Sequence, residues 1–382
     1  MINLQHKLFQ NIFIGEKKLF GIFIKLYVNA YLRIDVKMTK KPNILIIYTG
    51  GTIGMIKDYQ TNALKAFDFS QIIQNIPEIE QLKCILTSVS FEEPIDSSNM
   101  NTFYYINIAE IIEANYKKFD GFVVLTGSDT MAFVSSTLSF MLENLAKPII
   151  FTGSQLPIGD LRTDAKENLI TSIEIACSQK NNKPIISEVC LYFEYKLYRA
   201  NRTTKINADQ FEAFTSMNYP PLAESGVHLN FNHYFISETT HNDDELIVRK
   251  NLVENIAILK LFPGITKSVV DAILNIENLQ GIVLETYGSG NAPNETWFLE
   301  SLKKAISKNI KIVNVTQCEG GRVVQGHYET SVGLKAIGVI SGKDITTESA
   351  IAKLMYLLSE NLSNTEFTFY FEKSLRGEIS DS

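Results

Sequence analysis

Cysteine is scarce: Cys84, Cys177, Cys190 and Cys318 are the four the chain holds, and they form neither a CxxC pair nor a Cys/His cluster. That spacing argues against a metal site and favours reduced, mostly buried thiols. Positive charge is short as well. A net charge of −6 argues against a nucleic-acid partner, because counterion release needs clustered Lys and Arg. Long apolar runs are also missing. The best run in the leading segment, residues 19–24, has six residues before Lys25, far short of the ~20 that a membrane-spanning helix needs.

What remains is an ordinary folded composition. Apolar residues make up 45% and charged residues 20% of 382 positions, a length that implies two α/β domains rather than one core. Charge is uneven. Residues 1–40 hold Lys7, Lys17, Lys18, Lys25, Arg33, Lys37 and Lys40 against Glu16 and Asp35, a net of +5 that leaves −11 for the rest. One reading of this segment is a signal peptide, with Lys17-Lys18 as basic region and Val28-Asn29-Ala30 as a loose cleavage site. The favoured reading places residues 1–37 outside the working domain, with a start at Met38 and a cytoplasmic location.

From Asn43 onward, short apolar runs alternate with helix-length amphipathic stretches. Residues 44–48, 122–125, 148–151 and 189–193 are unbroken apolar runs, as expected of strands buried on both faces of a parallel sheet. Helices are expected at 69–74, 104–116, 132–145 and 165–177. The last has Asp164 as N-cap and Glu167 three residues on, a capping-box pattern. Further on, strands at 256–261, 281–286 and 311–316 alternate with helices near 295–308 and 346–359. The fold class is α/β: a larger N-terminal, doubly wound, mostly parallel sheet domain and a smaller C-terminal α/β domain. The expected division is an extension at 1–40, a first domain at 41–235, a linker at 236–255 and a second domain at 256–382.

In an open parallel sheet, ligands bind beyond the carboxyl ends of the strands, and polar residues cluster there. After residues 44–48 comes Thr49-Gly50-Gly51-Thr52, which is either a tight turn or a turn that exposes the Thr52 hydroxyl. It matches neither GxGxxG nor a P-loop. After residues 122–125 comes Thr126-Gly127-Ser128-Asp129-Thr130, where hydroxyl and carboxylate either cap a helix or hold the α-amino group of an amino acid. Asp96-Ser97-Ser98-Asn99 reads as a pocket lining or a solvated turn. Lys205, in Thr203-Thr204-Lys205, is a solvated charge or, if drawn into a cleft, a base.

These four segments, in this order, resemble the bacterial asparaginase/glutaminase family. The run Thr152-Gly153-Ser154-Gln155-Leu156-Pro157-Ile158-Gly159-Asp160-Leu161-Arg162 is similar to the cytoplasmic type I L-asparaginases, and the likeness extends through Gly288-Ser289-Gly290-Asn291 and Thr316-Gln317-Cys318. The resemblance implies Thr52 as nucleophile, Asp96, Ser97 and Ser98 as substrate contacts, and Ser128 and Asp129 as a pair coupled to Lys205. It implies that Asn291 approaches the site of a neighbouring subunit in a homodimer or homotetramer. The reaction implied is hydrolysis of L-asparagine to L-aspartate and ammonia, with no cofactor or metal and with neither nucleic acid nor membrane as partner. Thr126 stands where the family has His, Ser128 where Thr is commonest, and Tyr59 is the tyrosine available for the mobile loop. Thr204, Glu285, Thr316 and Cys318 match an allosteric site, but Glu285 replaces an arginine, and a carboxylate facing an effector carboxylate repels it. A glutaminase, an amidotransferase amidase subunit and a non-catalytic amino-acid sensor are the alternatives.

Overall fold

The computed structural model describes residues 41–57, 64–66, 76–237, 245–326 and 329–380. The chain divides into two units, Met1–Lys41 and Pro42–Ser382, and every element below belongs to the second. The extension 1–40, the helix expected at 69–74 and Tyr59 fall outside the described residues.

Strand β1 (Asn43–Gly50) shows why the unbroken apolar runs arise. It has a strand on each edge and helices on both faces, so Ile44, Leu45, Ile46, Ile47 and Tyr48 are all buried. Leu45 and Ile47 face one helical layer, while Ile44, Ile46 and Tyr48 face the other, as the two-residue alternation of a strand requires. β1 pairs in parallel with β2 (Ile85–Ile95) and β3 (Gly121–Leu125). Parallel pairing continues to β4 (Ile149–Thr152) and β5 (Val189–Phe193), then a hairpin to β6 (Lys196–Arg199) turns antiparallel. β7 (Thr204–Lys205) and β8 (Phe214–Thr215) form a separate ribbon. β9 (Ala223–Glu224) and β10 (Asn230–Phe231) complete an eight-stranded sheet in the order β10-β9-β6-β5-β4-β3-β1-β2.

β2 was not among the expected strands. As an edge strand it has only β1 beside it, so it mixes Thr, Ser and Glu with apolar residues and buries only Ile95. Helices α1 (Thr102–Asn115) and α2 (Met131–Met141) cover one face of the sheet, and α3 (Ala165–Cys177) covers the other. α2 stops short of residue 145: Leu142–Glu143 pairs instead with Ile247–Val248, and Arg249 N donates to Met141 O at 2.8 Å. α3 starts after Asp164 as expected, but the capping box does not form. The Asp164 carboxylate accepts from Gln155 N at 2.9 Å, and Glu167 accepts from Thr171 Oγ1 at 2.8 Å and Tyr192 OH at 2.5 Å.

The smaller lobe holds four parallel strands in sequence order, β11 (Ile256–Lys260), β12 (Gly281–Thr286), β13 (Lys311–Thr316) and β14 (Ile340–Ser341). α4 (Lys267–Leu274) and α5 (Thr296–Ser307) pack on one face. α6 (Glu329–Ala336) precedes β14, and α7 (Thr347–Ser359) and α8 (Asn364–Glu372) pack on the other face. Phe140 of α2 enters this second core and stacks on Tyr356, ring centroids 6.0 Å apart, so the lobes share apolar contact. None of the four cysteines is in a disulfide, but the expectation of mostly buried thiols fails. Only Cys190 is buried, Cys84 and Cys177 are half-buried and Cys318 is exposed. Among the described residues, no helix is long and apolar enough to cross a membrane.

Candidate active site

The chain leaves β1 for β2 on one side and returns to β3 on the other, a topological switch point where parallel sheets open a crevice. Loops from all three strands meet there. A Cβ on Gly51 would stand 2.4 Å from Gly127 N, and one on Gly127 would stand 2.5 Å from Ser97 Oγ. Gly51 also holds φ at 86°, a conformation open mainly to glycine. Gly51 therefore packs directly on the Gly127 backbone and Gly127 on the Ser97 side chain, and neither position has room for a Cβ. Thr130 Oγ1 adds a hydrogen bond to Ser97 O at 2.9 Å.

Thr52 opens the short helical turn Thr52–Gly54 and is half-buried. Asp96 caps the turn Ser97–Asn99 by accepting from Ser98 N at 2.8 Å and Ser98 Oγ at 2.7 Å. Those bonds hold the Asp96 carboxyl below its ordinary range. Ser97 is buried between the loops, and Asp96 and Ser98 are exposed.

Hydrogen bonding shows that neither Ser128 nor Asp129 serves as a helix cap. Thr130 is the N-cap of α2, and no side chain caps either that helix or the turn Ser128–Thr130 before it. Ser128 and Asp129 bind Lys205 instead, at 2.9 Å (Nζ to Ser128 Oγ) and 2.6 Å (Nζ to Asp129 Oδ1). Nor is Lys205 a solvated surface charge. Its side chain is 15% exposed against 67% for Asp129, so the amine is withdrawn from water while the carboxylate keeps access to it.

Gln155 received no role from the sequence, although it lies in the most family-like run. Ser128 Oγ donates to its Oε1 at 3.2 Å, and its amide is anchored on the carbonyls of Ala208 (3.2 Å) and Gln210 (2.9 Å). The alternation of strand and helix gives no signal for such a contact. Thr126 is buried, and its Oγ1 has no hydrogen-bond partner among the described residues. Asn291 lies in the smaller lobe, in a turn closed by reciprocal backbone bonds with Tyr287 at 2.9 Å.

Thr204, Glu285, Thr316 and Cys318 come together: all four line one cavity of about 330 Å³, with Glu348 and Thr347. Glu285 is not a bare carboxylate. Lys260 Nζ lies 2.9 Å from its Oε2, and Thr347 Oγ1 donates to its Oε1 at 2.7 Å. Thr204 Oγ1 donates to Glu348, whose carboxyl is pushed up by burial. Among the described residues, no group of three or more His, Cys, Asp or Glu could hold a metal ion.

Residues 43–236 match the family described as Asparaginase, N-terminal, and residues 255–371 match the Glutaminase/Asparaginase C-terminal domain. L-asparaginase 1 of Escherichia coli (strain K12) is 40% identical over 342 residues, covering 89% of this chain and 99% of its own. The 60 kDa lysophospholipase of Mus musculus is 37% identical over 90% of this chain, which spans 63% of that protein. The crystal structure of L-asparaginase I from Vibrio cholerae O1 biovar eltor str. N16961 aligns with a TM-score of 0.81 at 39% identity, over 89% of this chain and 99% of that one. With both family domains matched in order around this crevice, the chain belongs to the asparaginase family of amidohydrolases and is similar to its bacterial type I members.

Proposed function

We propose that the protein hydrolyses L-asparagine to L-aspartate and ammonia, with Thr52 as nucleophile. The observation that carries this reading is the withdrawn Lys205 amine bound to Ser128 and Asp129, beside loops so closely packed that glycine is needed where they touch. Thr52 Oγ1 attacks the side-chain amide carbon, its proton passes by way of the Lys205 group to the departing amide nitrogen, and the C–N bond breaks to release ammonia. Water then opens the aspartyl ester. Two steps through an ester replace one difficult hydrolysis, and a hydroxyl nucleophile needs a base to take its proton. Backbone N–H groups of the turn carrying Thr52 meet the oxyanion. Asp96, Ser97 and Ser98 hold the substrate, and Asp129 takes its α-amino group. Assembly as a homodimer or homotetramer would bring Asn291 to a neighbouring site.

The test is ammonia release from L-asparagine and from L-glutamine. Thr52→Ala is expected to lower asparagine turnover roughly 10³-fold or more. Full activity in that variant would remove Thr52 from the reaction. Faster release from glutamine than from asparagine would reassign the substrate, since one methylene is worth only ~1–3 kcal/mol of discrimination.

A further inference from the structure

Lys205 reaches the crevice on a short lead. The turn Ala200–Arg202 lies between β6 and β7, all three of its residues are buried, and only Thr203 and Thr204 separate it from Lys205. The turn is gripped from behind by the smaller lobe. Arg202, whose side chain is 1% exposed, donates from Nε to Gly377 O at 2.6 Å, from Nη1 to Asp344 Oδ2 at 2.9 Å and from Nη2 to Ser380 Oγ at 3.3 Å. Asn201 Nδ2 donates to Arg376 O at 3.0 Å.

The receiving segment is itself immobilised. Asp344 accepts from Ser380 N at 2.8 Å and Ser380 Oγ at 2.6 Å. Glu378 and Lys353, both with fully buried side chains, pair at 2.5 Å, and Glu378 also accepts from Arg376 N at 2.7 Å. A Cβ on Gly377 would stand 2.4 Å from Arg199 Nη1, so backbone at 377 fits closely around the cations it receives. The three acceptors of Arg202 sit in a fixed spatial arrangement that a planar guanidinium fork matches and a lysine ammonium does not.

We propose that Arg202, seated on Asp344, Ser380 and the Gly377 carbonyl, is the positioning residue for Lys205. The smaller lobe thereby sets where the amine stands in a crevice built by the larger one. This inference rests on the reading of Lys205 as part of the reacting group. The lead from Arg202 to Lys205 spans at most ~11 Å of extended chain, so a shift at the guanidinium passes to the amine.

The test is Arg202→Lys in the full chain, with the folded fraction measured by circular dichroism at the assay temperature. Turnover of L-asparagine per folded molecule is expected to fall roughly 10–100-fold. KM is expected to change less than kcat, because Asp96 and Ser97 belong to another loop and Asp129 is the substrate contact that Lys205 touches. A lower melting temperature with wild-type kcat per folded molecule would make Arg202 a structural residue and overturn the proposal. If Arg202→Lys fails to fold, Ser380→Ala decides: it removes one acceptor and is expected to lower kcat several-fold with a smaller change in KM, and wild-type kcat there overturns the proposal. Lys205→Ala separates the two levels. Full activity in it sinks the reading of the site, whereas an inactive Lys205→Ala beside fully active Arg202→Lys and Ser380→Ala sinks the positioning role alone.

Discussion

Thr204 and Lys205 are consecutive residues of a two-residue strand, and alternation sends their side chains to opposite sides of it. On the Lys205 side an amine meets a carboxylate and a hydroxyl within hydrogen-bond distance. On the Thr204 side the hydroxyl meets Glu348, and the cavity beyond also holds Glu285. The first side is charge-matched. The second sets two carboxylates near each other, with Lys260, 64% exposed, paired to Glu285. One strand therefore joins an amine held by a carboxylate and a hydroxyl to a cavity lined by two carboxylates.

Three substitutions probe this contrast. Lys205→Ala should have the largest effect, lowering kcat for L-asparagine by ~10²–10⁴; ammonia release measures it, and a loss under tenfold would put both sides of the strand on an equal footing. Thr204→Val should come next. It removes one donor to Glu348 while the Thr346 side chain and a backbone N–H still serve it, destabilising the fold by about 0.5–1.5 kcal/mol, as read by denaturant unfolding. No change in stability would mean that Thr346 and the backbone satisfy Glu348 without Thr204.

Glu348→Gln should have the smallest effect, and an inverse one. Burial holds the Glu348 carboxyl above its ordinary value, so the folded protein binds that proton more tightly than the unfolded chain. Wild-type stability then falls as pH rises through the unfolded value toward the folded one. The amide keeps an acceptor for Thr204 and carries no charge. The variant should melt about 1–2 °C higher than wild type at pH 8, with a smaller gap at pH 5, by calorimetry. A larger gap at the lower pH would contradict the assigned direction.

The same contrast explains what was legible in the sequence. Strands buried on both faces, such as β1, β3 and β5, write themselves as unbroken apolar runs. β2 does not, because an edge strand can remain polar on its exposed positions. The Gly-Gly turn and the Ser-Asp pair were visible as polar clusters after strands, but capping and ligand binding ask for the same residue types, and only the structure shows that Ser128 and Asp129 bind Lys205 and cap nothing. Asp164 was recognisable as a helix start, yet its carboxylate serves Gln155 and Leu156, which a local pattern does not reveal. Arg202 looked like any basic residue, since its partners lie some 140 to 180 positions away.

By itself, then, the sequence determined the α/β class, the alternation of buried strands and covering helices, and the short polar segments from which the crevice is built. These follow from local periodicity and from residue types whose roles depend on near neighbours. The tertiary structure decided which of those segments meet. It set Gly51 against Gly127, brought Lys205 to Ser128 and Asp129, gathered Thr204, Glu285, Thr316 and Cys318 around one cavity, and seated Arg202 on the smaller lobe. Each of these depends on burial and on contacts between distant positions, and a charge or hydroxyl takes its function from the partner that folding brings to it.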